Sequence, residues 1–588
     1  MGLGSWDLQS DEAIYSYAVD RILETGDWLM PRSIPSDEPF LEKPPLKFWI
    51  VAGGIASGLL PHDEFGLRFF DALFGSIAFV YVFLLGRSLA GPLCGVVAVF
   101  VLFTVTPLLF EHGLRSNNME APLVLAFCGG VYHFSRWVEA PKRTGMHALG
   151  AAAYFVLGFM TKFVAALFLP MVCAAALAWR PHGQRMPGSR WRDWIAPAVL
   201  VLGATVPWFA YAAAHSGTRL WNTMVAVHVY DRFTGFLDAR HLQPWNYYFW
   251  RTWLELTLAG SHWIALIGLA VLTTQAWRGR TWLTRLLLVW WILPFALISL
   301  GRSKVFHYAY PFLPPIALGA GVVASASFHA IERRISTGLD RAAAVVGRVL
   351  PAAPFSRTPA WVRPILLVGA LAAFALSGWT AADGPIRHAV GDVVLRNSSV
   401  GRPLIIGLIL FYLSGCVRIT LSRSVAMGIV AIALPVMAYR NDAGRLTVID
   451  HPLRALRDCA ASLPSVRPET HVYATYHQLL SHSYYYYLRA IGPFVEIERP
   501  RVDELRSRIV DPSRDAFVVL FPSDYYSLIR SVPADASRPD SEDEIAGGLS
   551  FGQDVVILAP GPLERCAERA ASAGGTALAS VPIGGTRG

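Results

Sequence analysis

Asp11 and Glu12 stand side by side near the start of the chain, and Glu42-Lys43-Pro44-Pro45 follows a short polar stretch that holds Gly26-Asp27-Trp28. A carboxylate in such a loop can take the proton from a hydroxyl as that hydroxyl attacks an electrophile. Adjacent acids on a helix point in different directions, so one can face a substrate while the other caps or braces the loop. The two prolines restrict Lys43 and Pro44 to extended geometry and would hold a charged pair rigidly where the chain enters the interface. Acids on a surface loop are usually only solvated, and an interfacial lysine often only snorkels. The interleaved Trp6, Tyr15, Tyr17 and Trp28 argue for more, because such residues wall a sugar or seat a loop at the headgroup level.

Three later segments add complementary groups. Arg115-Ser116-Asn117-Asn118-Met119-Glu120 puts a further acid, Glu120, at the outer end of an apolar run. The loop 225–248 carries His228, Asp231-Arg232-Phe233, His241 and Tyr247-Tyr248. His228 with Glu42 would offer a mixed nitrogen and oxygen site for a divalent cation, zinc or magnesium. Ser303-Lys304-Val305-Phe306-His307-Tyr308 supplies Lys304 and Tyr308. Together with Arg232 and Lys43, these are the donors a departing phosphate needs as negative charge builds on it.

These loops must be positioned by a membrane bundle. The chain has 588 residues, 54% hydrophobic and 16% charged, with a mean hydropathy of +0.41, far from the composition of a soluble domain. Candidate spans lie near 66–86, 93–110, 119–135, 147–162, 164–179, 194–213, 259–277, 284–300, 308–327, 364–382, 403–417 and 424–439, about 12 in all. The stretch 46–60 is short and reads as an interfacial helix. Arginine and lysine gather in alternate loops, among them Arg87, Arg136, Arg180, Arg278, Arg334 and Arg418, which places those loops in the cytoplasm. The N-terminal loop 1–65, 111–118, 214–258, 301–307 and 383–402 then converge on the extracytoplasmic face. The net charge of +9 fits this topology and anionic lipid partners; no basic patch suggests nucleic acid. Met1 leads almost directly into polar sequence, so no cleavable signal peptide is expected.

After the bundle 66–440, residues 441–570 read as a small extracytoplasmic α/β domain. Strands are expected at 471–475, 516–521 and 554–558, alternating with helices at 452–463, 478–489 and 502–509. An oxidising compartment would let Cys459 pair with Cys566, whereas Cys94, Cys128, Cys173 and Cys416 lie in apolar runs and read as buried thiols. The tail 571–588 is expected to be disordered.

Four segments together resemble the aminoarabinose-transferase branch (family 83) of the GT-C membrane glycosyltransferases, relatives of the protein O-mannosyltransferases. They are Ser10-Asp11-Glu12 through Gly26-Asp27-Trp28; Phe40 to Trp49, the most specific; Gly158-Phe159-Met160-Thr161-Lys162; and Ser303-Lys304 through His307-Tyr308. The resemblance implies a polytopic GT-C enzyme of the bacterial inner membrane that moves a hexosyl or pentosyl unit from a polyprenyl-phosphate donor to a lipid, glycan or protein of the envelope, such as lipid A. It implies catalytic acids at Asp11, Glu12 and Glu120, phosphate contacts at Lys43, Arg232, Lys304 and Tyr308, and a divalent metal at Glu42 and His228. Inversion at the sugar and a monomeric state are expected. A transporter or flippase of lipid-linked sugars is the rival; it would gather ionisable groups near the bilayer midplane. In that family a transmembrane helix precedes the Asp-Glu motif, so with only Met1 to Ser5 ahead of Trp6 the true start is expected upstream.

Overall fold

Gln9 and Glu12 close the start of the first helix, Ser10–Thr25, with reciprocal bonds: the Glu12 N–H donates to the Gln9 carbonyl at 2.8 Å, and the Gln9 N–H donates to the Glu12 carboxylate at 2.9 Å. The helix stops at Gly26, whose φ of 72° lets its N–H return to the Ile22 carbonyl. The computed structural model describes residues 3–330, except 5, 35–36, 140–143, 181–191, 236–240 and 280. It also describes 362–383, 386–390, 393–397, 403–404, 406–407, 410, 452–462, 471–475, 482–490, 492, 494–497, 516–520, 548–551, 555–558 and 566.

Chain contacts define two compact units, residues 1–324 with 434–588, and residues 325–433. In the first unit, apolar runs fold into helices because an unpaired backbone amide is intolerable in lipid. Among the described residues, Glu64–Ala90, Thr144–Ala178, Arg192–Ser216 and Trp282–Leu300 are long and apolar enough to cross a bilayer. Phe306–Phe312 and Pro314–Ala330 meet at a 52° bend and together form a fifth candidate. Leu46–Ala56, Pro92–Phe103 and His262–Trp277 are shorter apolar helices. Leu46–Ala56, where an interfacial helix was expected, spans about 16 Å at 1.5 Å per residue, roughly half a hydrocarbon core. Of the remaining expected spans, 424–439 and most of 403–417 lie outside the described residues.

The expected pair 147–162 and 164–179 is one unbroken helical run, Thr144–Ala178, folded back on itself at the 3-10 turn Phe163–Leu167. Ala166 Cβ lies 3.2 Å from where a Cβ on Gly158 would stand, although a straight helix would put these residues about 12 Å apart. The turn begins where Lys162 reaches toward Glu120 and Phe163 takes a φ of 31°. The helix Glu120–Glu139 is buried throughout Glu120–Val131, packed against Glu64–Ala90 and Thr144–Lys162.

The C-terminal part of the same unit holds a five-stranded sheet. Its order is Phe494–Ile497, His471–Thr475, Ala516–Leu520, Val555–Leu558, Gly548–Phe551; the first three strands are parallel and the last two antiparallel to their neighbours. Three strands sit where alternation placed them; the two at the sheet edges, Phe494–Ile497 and Gly548–Phe551, are additional to the expected ones. Helices occupy Pro452–Ala461 and His482–Leu488; residues 502–509 and 571–588 lie outside the described set. Cys459 and Cys566 form a disulfide with Cα atoms 5.4 Å apart, and Cys94, Cys128 and Cys173 are buried free thiols; Cys416 is outside the described residues.

The second unit contains the helix Val362–Asp383 and a hairpin pairing Ile386–Val390 antiparallel with Val393–Asn397, in the register Ile386 to Asn397 and Val390 to Val393.

Candidate active site

The first helix treats its two leading acids in opposite ways, since successive residues lie about 100° apart around a helix. Glu12 turns inward and is 2% exposed. Arg68 donates to both its oxygens at 2.7 and 2.8 Å, and the backbone N–H groups of Asn117 and Gln9 add bonds at 2.7 and 2.9 Å. Burial would raise this carboxyl, but the Arg68 charge and the four donors hold it below the ordinary range. Arg68 also donates to the carbonyls of Leu3, Trp6 and Asp7. Glu12 is therefore a saturated brace. Asp11 turns outward with its side chain 40% exposed, and its carboxylate lies 3.8 Å from His112 Nδ1.

Backbone strain marks the same place. Among the described residues, four non-glycine positions take positive φ: Ser10 at 37°, Asp37 at 52°, His112 at 49° and Phe163 at 31°. Ser10 precedes Asp11, His112 faces it, and Phe163 follows Lys162. Such conformations cost on the order of 1 kcal/mol or more each and persist only where the surroundings enforce them.

Glu42 and Lys43 reach the site from the segment ahead of Leu46–Ala56. Their charged atoms are 3.7 Å apart, and His228 Nε2 lies 3.4 Å from the Glu42 carboxylate. Burial pushes Glu42 upward, but the His228 hydrogen bond and the Lys43 and Arg232 charges win and hold it down to about 2. Burial lowers His228 below the ordinary imidazole range despite the Glu42 carboxylate. Burial likewise lowers Lys43, opposed by Glu42 and Asp11 and reinforced by Arg232 and Lys162. Those mutual influences place Asp11, Glu42, Lys43, Lys162 and Arg232 around one space. Behind Lys43, Lys47 pairs with Asp71 at 3.0 Å, both side chains almost wholly buried, and fixes the helix root.

Glu120 opens its helix with the Lys162 ammonium on one oxygen and His307 Nε2 at 3.6 Å. The His307 ring stacks on His112 at 4.7 Å, linking Glu120 to the Asp11 side. Lys162 also sits 5.2 Å from the Tyr308 ring centre, and Arg232 donates to the Tyr308 hydroxyl. Tyr15 lies among these groups: after burial, the Asp11, Glu120 and Glu42 charges raise its hydroxyl well above the ordinary value. Two buried nitrogens here, His228 Nδ1 and Arg232 Nε, have no hydrogen-bond partner. Buried polar atoms left without partners beside such a cluster are capacity for a ligand.

Lys304 behaves differently. Its ammonium donates to the Gln243 carbonyl at 2.9 Å and to the Gly301 carbonyl. The backbone N–H groups of Arg302 and Ser303 pair with the Phe233 and Arg232 carbonyls. Lys304 thus latches the two outer loops together, and that latch sets where Arg232 points. Asp11, Glu42, Lys43, Glu120, Arg232, His228 and Tyr308 are brought together; Lys304 stands behind them.

Sequence reading passed over Arg68, His112, Lys162 and His307 as site residues. Lys162 and Arg68 did give a signal, because an ionisable residue inside an apolar span is a functional candidate by default. The two histidines gave none; only their stacking in space reveals them. A cavity of about 70 Å³ opens beside the strained turn, lined by Trp6, Gln9, Ser10, His112 and Arg115 among others.

Residues 42–211 match the dolichyl-phosphate-mannose-protein mannosyltransferase family. The undecaprenyl phosphate-alpha-4-amino-4-deoxy-L-arabinose arabinosyl transferase 2 of Pseudomonas fluorescens is 26% identical over 328 residues, 55% of this chain and 53% of the relative. The corresponding transferase of Edwardsiella ictaluri is 28% identical over 331 residues, 53% of this chain and 54% of its own length. The chain spans about half the length of these curated relatives. The crystal structure of ArnT from Cupriavidus metallidurans bound to undecaprenyl phosphate superposes with a TM-score of 0.55 over 95% of each chain, at 18% identity. The expected resemblance is therefore found in sequence, and the chain shares the helical GT-C architecture of that structure.

Proposed function

We propose that this chain is an inverting membrane glycosyltransferase that moves a sugar from a polyprenyl-phosphate donor to a hydroxyl of an envelope lipid, glycan or protein. The observation that carries the reading is an exposed carboxylate, Asp11, facing a cluster of buried cations, inside a fold shared with a structure that holds undecaprenyl phosphate. Asp11 accepts the acceptor's hydroxyl proton while the hydroxyl oxygen bonds to the anomeric carbon. The bond from that carbon to the phosphate oxygen breaks, and both its electrons leave on the polyprenyl phosphate. Lys43, Arg232 and Tyr308 take up the charge developing there. Glu120 holds Lys162 in place against Tyr308, and Glu12 fixes the helix that presents Asp11.

A divalent cation fits between Glu42 and His228. The Glu42 carboxyl and the His228 imidazole are both held below their ordinary ranges, which favours the unprotonated forms a cation needs, and the two atoms that would ligate it, a Glu42 oxygen and His228 Nε2, lie 3.4 Å apart. Among the described residues no third His, Cys, Asp or Glu completes a protein cage. Zinc or magnesium would therefore be held by two protein ligands and would supply Lewis acidity toward phosphate oxygens.

About 12 helices cross the bacterial inner membrane in this reading, with the active site and the C-terminal α/β domain outside. The Cys459–Cys566 disulfide supports that side. The protein acts as a monomer. The relatives' names make undecaprenyl phosphate-4-amino-4-deoxy-L-arabinose the first donor to try, and the resemblance makes lipid A the first acceptor.

The test is purified enzyme in nanodiscs with a panel of polyprenyl-phosphate sugars, read by mass analysis of the product, beside Asp11→Asn. Sugar covalently transferred by the wild type and lost in a folded Asp11→Asn supports the reading. Sugar that crosses the bilayer still attached to its lipid would favour the transporter instead.

A further inference from the structure

The strained turn that aims Asp11 is held from the far end of the chain. A serine has no intrinsic reason to adopt a φ of 37°, since left-handed geometry crowds its Cβ. The Ser10 N–H donates to the Ser483 hydroxyl at 3.0 Å. Two residues earlier the Leu8 N–H donates to the buried Tyr487 hydroxyl at 2.9 Å, and that hydroxyl donates onward to Glu64 at 2.9 Å. One residue earlier still, the Asp7 carboxylate receives the N–H groups of Leu453 and Arg454 at 2.7 and 3.2 Å. Residues 7, 8 and 10 are therefore each gripped by the helices Pro452–Ala461 and His482–Leu488.

The grip is embedded in a shared core. Leu8, Ala13, Tyr17 and Val19 pack in one cluster with Leu456 and Tyr487. Arg68 pulls on the same segment from the opposite side through the Trp6 and Asp7 carbonyls. With both sides fixed, the chain between Leu8 and Glu12 has nowhere to relax, and Ser10 stays in the left-handed region. His482, next to Ser483, feels the Asp11 and Glu42 charges, which fits this helix standing at the rim of the site.

We propose that Ser483 is a positioning residue for Asp11: its hydroxyl, with Tyr487 behind it, enforces the left-handed turn at Ser10 that directs the Asp11 carboxylate toward the acceptor. This inference rests on Asp11 as the base. It makes the C-terminal helices part of the catalytic apparatus, although neither need touch substrate. Losing the Ser483 hydroxyl lets Ser10 relax to an ordinary φ and swings Asp11 away, a displacement that can cost one to two orders of magnitude in rate.

The test uses the protein in nanodiscs and five variants. Ser483→Ala should lower kcat about tenfold or more while the donor KM and the melting temperature stay near wild type. Ser483→Thr, which keeps the hydroxyl, should restore kcat. Adding Ser10→Gly to Ser483→Ala should also recover most of the loss, because glycine adopts that φ without enforcement. Rescue by a distant glycine is something a general loss of stability would not show. A folded Ser483→Ala with wild-type kcat, or a Ser10→Gly addition that recovers nothing, overturns the proposal even where Asp11→Asn is dead. Should Ser483→Ala unfold, Tyr487→Phe takes its place, and wild-type kcat in that variant also overturns it. Turnover surviving in Asp11→Asn is a separate result and removes the base assignment itself.

Discussion

The back and front of the first helix place the same chemistry under opposite rules. Behind it, Glu12 and Arg68 form a nearly inaccessible pair, closed by bidentate contact and backbone donors. In front, Asp11 and Glu42 keep about 40% of their side chains exposed, and His228 and Arg232 retain unpartnered nitrogens. A charge with every lone pair satisfied can do nothing further except hold position. A charge left incompletely satisfied keeps free energy in reserve for a ligand. Adjacent residues of the same charge can therefore differ entirely in role, and the contrast lies in satisfaction rather than in charge.

The sharpest way to break this contrast is to neutralise one acid at a time. Asp11→Asn should lower kcat by about 10²–10⁴-fold, the range typical for a general base, with the melting temperature unmoved. Removing the brace should do the reverse kind of damage. Arg68→Met leaves Glu12 buried and uncompensated, which costs about 3–5 kcal/mol of stability; thermal unfolding in detergent measures it, and a second change, Glu12→Leu, should recover part. A brace that melts normally without Arg68 would erase the distinction.

The cations give a smaller effect. Lys43→Met, which removes a charge, and Arg232→Lys, which replaces a planar fork by a point charge, should each lower kcat about tenfold, because both groups meet charge that builds on the departing phosphate. Lys304→Met should instead loosen the outer loops, seen as faster hydrogen exchange across 228–235, with a lesser change in kcat. The smallest effect is in pH. Glu12 and Glu42 both lie below the ordinary carboxylate range, Glu42 at about 2. Each thus contributes stability that is fully present above the unfolded value of about 4.3 and is lost as pH falls toward the folded one. Amide protection factors across 8–25 and 40–45, corrected for the intrinsic pH dependence of exchange, should stay flat from pH 8 to 5 and drop below pH 4.

Much of the frame is legible from the chain because its signals are local. Apolar runs announce helices, Pro44-Pro45 announces a rigid entry, and alternation announces the strands at His471–Thr475 and Ala516–Leu520. Motif spacing located Asp11, Glu42, Glu120 and Arg232. What spacing could not deliver was the partner of each. Nothing in the sequence tells that Lys304 is spent on the Gln243 and Gly301 carbonyls while Lys162 reaches Glu120. The stacking of His112 on His307 joins loops that no periodicity connects. The Ser483 contact spans 473 positions, beyond any local rule.

The Asp7 bond to Leu453 bridges 446 positions, and this has a consequence for biosynthesis. At about 5–20 residues per second, the ribosome needs on the order of 20–90 seconds to make the helix that grips a segment it made first. During that interval the bundle can insert and pack while the catalytic turn has no partner to hold it. The first helix is thus without its grip until residues 453–487 have emerged, and a message truncated before them would leave an inserted bundle whose strained turn at Ser10 nothing enforces.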